Sequence, residues 1–154
     1  MIDENTCNYK DMTFHKSGVI LRKFPKMGWR AIPQTNNNGC GYNQIRVEGK
    51  LRQRHRLMVA AFNPAFDIDN TEHVVDHIDG NRLNDAFDNL RVVTRQGNSF
   101  NTKAKGYHKY NDRFAARICV NGEQKYLGLF DTEEEARGAY LAAKELYHVI
   151  EPVC

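Results

Sequence analysis

A chain of 154 residues, 41% of them apolar, can bury one sizeable core or two small ones and is too short for a large multidomain enzyme. Its net charge of +3 conceals an uneven distribution: eleven Lys/Arg against four acids up to Arg56, three against seven from Leu57 to Asn98, and eight of each beyond, where Lys103, Lys105, Lys109, Arg113 and Arg117 come first. The four cysteines (Cys7, Cys40, Cys119, Cys154) form no C-x-x-C unit, and no apolar run reaches membrane-spanning length; these facts argue against a zinc ribbon, a disulfide framework and a membrane span.

In chain order, Gly18-Val19-Ile20-Leu21-Arg22 and Gly28-Trp29-Arg30-Ala31-Ile32 read as short strands, and Asn36-Asn37-Asn38-Gly39 as a turn. Tyr42 to Val47, a Glu48-Gly49 turn and Lys50-Leu51-Arg52 read as a hairpin with basic side chains on both arms. Such a ribbon either lies in a DNA groove or is a solvated sheet face. Its candidate contacts are Arg46, Lys50, Arg52 and the following Arg54. From His55 to Phe62 the apolar residues Leu57, Met58, Ala61 and Phe62 recur at helical spacing until Asn63-Pro64, which predicts a helix packed through one face.

Val74-Val75-Asp76-His77-Ile78 predicts a strand with a polar pair near its end. The polar loop Asp79 to Asp85 leads to a second strand, Leu90 to Val93, and Thr94 can cap a short helix carrying Asn98. Past a basic linker, Thr102 to Lys105, strands at Arg113–Val120 and Gln124–Phe130 are joined by Asn121-Gly122, a strong hairpin signal. Thr132 and Glu135 make a capping box, and Ala136, Ala139, Tyr140, Ala143, Leu146 and Tyr147 trace one apolar stripe. The expected class is α+β: N-terminal β-hairpins in a basic, DNA-contacting segment (1–54), a central unit (55–102), and a C-terminal three-stranded antiparallel sheet packed on one helix (106–150).

An acidic centre between basic stretches suits an enzyme that grips a polyanion and holds a cation, although an ordinary solvated surface has the same asymmetry. Adjacent Asp76 and His77 point to opposite faces of an extended chain, and a bend there lets both reach one cleft. A carboxylate can then bind metal while an imidazole, with an ordinary pKa of about 6.5, takes a proton. An isolated pair of this kind reads first as a loop acid beside a structural histidine.

Val74 to Asn81, followed by Asp88-Asn89-Leu90-Arg91-Val92-Val93-Thr94 and Asn98, resembles the HNH homing endonucleases of bacteriophages over roughly residues 55–101. The resemblance implies a ββα-metal fold in which Asp76 and Asn98 hold the metal and His77 is the general base. It also implies that Asn89 bonds to backbone across the loop and so positions His77. The third position is Asn98 rather than a histidine, and two oxygen donors favour hard Mg²⁺, with Mn²⁺ tolerated. Arg91 and Arg95 are candidate phosphate contacts or solvated positions, Lys103 and Lys105 join the DNA-binding set, and His55 reads as a helix start or a phosphate contact.

A second resemblance rests on Gly106-Tyr107, Arg113 to Ile118, Tyr126 to Thr132, and Glu134-Glu135-Ala136 with Ala139-Tyr140. These segments are similar to the Apetala, or ethylene-response-factor, DNA-binding domain, which implies a sheet facing the major groove through Arg113, Arg117 and Lys125. The usual tryptophans of that domain are replaced near Phe114 and Tyr126. Together the readings lead to a site-preferring, metal-dependent DNA endonuclease of the homing type. It is expected to act on double-stranded DNA as a monomer in the cytoplasm (the host's, if phage-encoded), with no membrane or small-molecule partner. The alternative is a non-catalytic DNA-binding regulator with a structural HNH remnant.

Overall fold

The computed structural model describes residues 4–34, 39 and 41–153, which belong to two compact units: Met1–Val92 with Pro152–Cys154, and Val93–Glu151. The fold is mixed α+β, with several antiparallel sheets and few helices.

In the first unit, β1 (Thr6–Tyr9), β2 (Met12–His15), β3 (Ile20–Phe24) and β4 (Gly28–Ala31) form an antiparallel sheet in chain order. The first two strands escape the sequence reading: each has four residues, and no Gly-containing turn marks them as Glu48-Gly49 marks β5 and β6. Their turn holds Lys10 at φ 58°, a conformation its residue type does not advertise. β5 (Gln44–Val47) and β6 (Lys50–Gln53) form the expected hairpin. Glu48 and Gly49 both take positive φ, 48° and 80°, as a two-residue turn of type I′ requires.

Helix α1 (Arg54–Phe62) follows without a break. Its Leu57, Met58 and Ala61 join Met12, Phe14, Ile20, Ile45 and Val47 in one buried cluster, while Val59 and Ala60 join Phe66, Val75 and Val92 in another. The one-faced packing read from the spacing is therefore corrected: α1 is enclosed on two sides, as the additional apolar residues Val59 and Ala60 demand. β7 (His73–His77) pairs with β8 (Leu90–Thr94), which a short 3-10 turn (Phe87–Asn89) introduces.

In the second unit, α2 (Arg95–Phe100) is capped by Thr94, whose hydroxyl accepts from Gly97 N at 3.1 Å. β9 (Tyr107–Tyr110), β10 (Arg113–Val120) and β11 (Glu123–Phe130) form an antiparallel sheet with β10 central. α3 (Glu133–Tyr147) starts on the Thr132/Glu135 capping box and packs Tyr140 and Ala143 onto Ile118, with Val120 and Leu127 beside them. Gly106 permits this packing, since a Cβ there would lie 1.9 Å from Cγ of Tyr140. The apolar stripe fails in the last turn, where Leu146 and Tyr147 are exposed. Residues 102–105 are no slack tether: Lys144 Nζ donates to Thr102 O and Arg137 Nη1 to Lys105 O, both at 2.8 Å.

Of the expected Asn36–Gly39 turn, only Gly39 lies among the described residues. Cys7 and Cys119 are free thiols, and Cys40 and Cys154 lie outside the described residues. Among the described residues no helix is long and apolar enough to cross a membrane.

Candidate active site

β7 ends in Asp76-His77, and both side chains are buried. Their partners differ, as alternate faces of a strand require. Asp76 Oδ2 accepts from Arg91 Nε at 3.0 Å and Nη2 at 2.8 Å, a charge-assisted pair across to β8. The His77 ring lies with its centroid 4.9 Å from that of His55 on α1 and 6.1 Å from that of Tyr42, and its Nε2 is 3.2 Å from Asp85 Oδ1.

The segment after His77 is fixed by Asn89. Its Oδ1 accepts from Asp79 N at 3.1 Å, its Nδ2 donates to Asp79 Oδ1 at 3.0 Å and Asn84 O at 2.9 Å, and its backbone oxygen accepts from Ile78 N at 2.9 Å. Asp79 is exposed, and the Asn84 side-chain N–H, followed by the Asn81 backbone and Asn89, holds its carboxyl below the usual range. These bonds fix the chain on both sides of the loop, so the exit of β7 has little freedom to swing the His77 ring.

A buried polar cluster lies on the other side of that ring. Asp85 is 0% exposed; its Oδ2 accepts from Asn43 Nδ2 at 2.7 Å and lies 3.6 Å from Arg54 Nε. Arg54, itself 1% exposed, donates to Gly18 O at 2.6 Å and Ile32 O at 3.0 Å. Burial lowers its pKa, and the Asp85 charge opposes that shift. Arg54 is therefore corrected from DNA contact to core scaffold: its guanidinium is spent on carbonyls and a carboxylate inside the unit. Burial, with a smaller contribution from His77, pushes His55 down to about 4, so that ring is neutral at physiological pH. Ligand atoms of His55, His77 and Asp85 all lie within 4.8 Å of one another, a His/Asp set of the kind that can hold a divalent metal.

The remaining expected residues separate by environment. Asn98 sits exposed on α2 in the second unit. In the β5–β6 hairpin, Val47 faces Lys50 and Ile45 faces Arg52 across the ladder, whereas Arg46 faces the exposed Leu51. Opposed residues share a face, so the ribbon does not gather its bases on one side. Arg52 is half-buried and paired with Asp69; Arg46 and Lys50 are exposed. Arg95, Lys103 and Lys105 are exposed, and Arg113 pairs with Asp131 at 2.7 Å. Arg117 stands exposed opposite Tyr126. Lys125 is corrected: it lies opposite the buried Ile118, on the helix side, with its Nζ 4.4 Å from the Tyr147 ring centroid, and does not share the face of Arg117.

Sequence reasoning missed Asp85 and Asn43, because an acid or amide in a polar stretch ordinarily points to water. The available signal was the Arg54-His55 pair opening an otherwise apolar helix. It reads the strands of the β3–β4 hairpin but singles out none of its side chains, although Met27 and Trp29 are exposed beside Lys23, Lys26 and Arg30. The run from Met12 to Val47 contains no Asp or Glu, and that would have drawn attention to it.

These residues lie within a recognised sequence pattern. The family model for the HNH endonuclease matches residues 52–100, a span containing His55, Asp76, His77, Asp85, Asn89, Arg91 and Asn98. Protein 3.8 of Escherichia phage T7 is 33% identical over 85 residues, covering 49% of this chain and 70% of that protein. The chain carries an HNH endonuclease domain and belongs to the family of Protein 3.8. A further relative is the Acanthamoeba polyphaga mimivirus protein named uncharacterized HNH endonuclease L560, 40% identical over 79 residues. That match takes in 47% of this chain and 42% of the relative, so the chain spans less than half of the viral protein's length. A solved structure titled "DNA binding and cleavage by the HNH homing endonuclease I-HmuI" aligns at 25% identity over 75% of this chain and 70% of that one. Its TM-score is 0.46, a likeness too loose to define how the parts of this chain are arranged.

Proposed function

We propose that this protein is a metal-dependent DNA endonuclease of the homing type that hydrolyses phosphodiester bonds, with His77 as the general base. The observation that carries the reading is a buried histidine at the end of β7, inside the HNH match, with both its own ring and the segment after it held by hydrogen bonds. A held imidazole can take the proton of an attacking water without first being ordered.

Asp76 and Asn98 would hold the metal, and a carboxylate with an amide oxygen is a donor set that fits hard Mg²⁺, with Mn²⁺ accepted. When bound, the ion supplies charge neutralisation at the phosphorus and at the departing oxygen. Arg91 keeps the buried Asp76 carboxylate compensated in the protein alone, which lowers the cost of burying that charge before DNA arrives. Asn89 positions His77 through Ile78 and Asp79. Attack by water at phosphorus with cleavage of the P–O3′ bond, the 3′-oxygen leaving and taking up a proton, gives products with 5′-phosphate and 3′-hydroxyl ends. Arg46, Lys50, Arg52, Arg91, Arg95, Lys103, Lys105, Arg113 and Arg117 form the DNA-binding set, with Arg113 and Arg117 on an Apetala-like sheet; the enzyme acts as a monomer in the cytoplasm, the host's if it is phage-encoded.

A supercoiled-plasmid nicking assay tests this directly. Cleavage is expected with Mg²⁺ and absent with EDTA, and His77→Ala should lower the rate by roughly 10³-fold or more while leaving DNA affinity within about twofold. Full activity in His77→Ala refutes the assignment of the base. A second reading, a non-catalytic DNA-binding regulator, draws on the exposed Tyr110, Arg117 and Tyr126 of the C-terminal sheet. It predicts shifted DNA mobility with no nicking under any divalent ion.

A further inference from the structure

Asp85 stands in a loop whose composition reads as solvent-facing, yet its side chain is wholly buried. The loop is seated on the β2–β3 turn: Phe87 N donates to Lys16 O at 2.7 Å, and a Cβ on Gly18 would come within 3.1 Å of Ala86 N. Three groups converge on the carboxylate. Asn43 Nδ2 donates to Oδ2 at 2.7 Å, Arg54 Nε lies 3.6 Å from that same oxygen, and His77 Nε2 is 3.2 Å from Oδ1. An ionised carboxylate only accepts hydrogen bonds, so the ring nitrogen facing it carries a proton.

We propose that Asp85 is the positioning residue of the HNH site: it receives the Nε2 proton of His77, fixes that tautomer, and thereby sets the basic lone pair on Nδ1. The inference rests on the reading of His77 as the base and names the nitrogen that does the work. A neutral imidazole has one protonated and one basic nitrogen, and the partner of the first determines which is the second. The relation matches the carboxylate–imidazole half of a serine-protease triad, where the acid sets tautomer and orientation and does not itself take the proton.

The same atoms could be taken for a metal site, since His55, His77 and Asp85 offer donors within 4.8 Å of one another. Arg54 argues otherwise. Asp85 is the single anion of the three, and a buried guanidinium already faces it, so a divalent ion there would face an uncompensated cation at close range.

The test compares Asp85→Asn with Asp85→Ala in plasmid nicking with Mg²⁺, beside DNA binding by the same proteins. In Asp85→Asn the two donors Asn43 and Arg54 draw the new amide oxygen toward themselves, which turns its NH₂ toward His77. An NH₂ at that place donates to Nε2, moves the ring proton to Nδ1 and removes the base. Asp85→Asn is therefore expected to lose roughly 10³- to 10⁴-fold in kcat, the size seen for the triad aspartate, with KM for plasmid nearly unchanged. Asp85→Ala leaves the ring free to exchange tautomers and should lose only about 10- to 100-fold. A merely structural Asp85 gives the reverse order, because the isosteric amide preserves packing better than alanine; that order overturns the proposal.

If the variants do not fold, ¹H–¹⁵N correlation spectra of ¹⁵N-histidine-labelled wild-type protein decide it. Neutral His77 protonated at Nε2 is the expected tautomer, and protonation at Nδ1, or an Nε2 that has lost its proton to a bound metal, refutes the proposal. Wild-type nicking by His77→Ala would instead remove the base reading itself. His77-dependent cleavage with Asp85→Asn at or above Asp85→Ala would remove this inference alone.

Discussion

Two polar regions of this chain contrast sharply. Around His77, the groups that carry the argument are buried and each answers to named partners: Asp76 to Arg91, His77 to Asp85, Asp85 to Asn43 and Arg54. On the open side of the C-terminal sheet, Tyr110, Arg117 and Tyr126 are exposed and the Arg117 guanidinium makes no ion pair among the described residues. Burial makes a polar group costly unless its partners are in place, so such a network persists only if the fold supports it completely. Exposed bases carry little such cost and are worth little to stability. The proposed chemistry belongs to the first region and the proposed DNA contact to the second, and substitutions should divide along that line.

The sharpest division is at arginine. Arg54, at the start of α1, and Arg117, within β10, are both basic residues in a chain read as DNA-binding, yet one is 1% exposed and the other is exposed. Arg54→Ala strips a buried carboxylate of its cation and leaves the Gly18 and Ile32 carbonyls without that donor, and should cost about 3–5 kcal/mol in urea unfolding. A loss within about 0.5 kcal/mol, the size ordinary for a surface site, would erase the contrast.

How much of this could be seen in the sequence follows the same line. The hairpin at Asn121-Gly122, the Thr132/Glu135 cap and the Thr94 cap are local devices, in which residues a few places apart satisfy one another, and they are legible as such. Asp76, His77 and Asn89 stand out in the sequence because their spacing resembles a family pattern. Asp85 does not, since its burial is produced by Arg54 and Asn43, 31 and 42 positions away in the chain. Lys125 went to the wrong face for a related reason: a register irregularity at Ala116/Arg117 changes which β11 residues face which side, and no composition rule marks a bulge. Long-range partners and register are tertiary facts, and residue type constrains them weakly.

His55 sharpens the comparison next, through pH. Its pKa falls from about 6.5 in the unfolded chain to about 4 in the fold, mainly through burial. The unfolded state therefore binds more protons between those values, and stability rises with pH across the window. The contribution is fully present above about pH 6.5 and is lost as the pH falls toward 4, up to about 3 kcal/mol in all. His55→Phe removes the titrating ring while keeping its bulk. Comparing urea midpoints at pH 7 and pH 4.5, wild type should lose more than the variant; equal losses would mean that the ring is not held neutral by the fold.

The smallest effect is expected where exposure is greatest. Arg117 lies opposite Tyr126 on the central strand of the C-terminal sheet, with its backbone N–H donated to Gly106 O at 2.9 Å and its side chain in solvent. Arg117→Ala leaves that backbone bond intact, so stability should change by no more than about 0.5 kcal/mol. If the side chain neutralises one phosphate, the slope of log K against log salt should flatten by about 1, and affinity should fall at low salt more than at high salt. Lys125→Ala is the internal control, because its ammonium is held over the Tyr147 ring on the helix side and should leave the salt slope unchanged. A slope that moves for Lys125 and not for Arg117 would put DNA on the helix side of the sheet and reverse the assignment of its binding face.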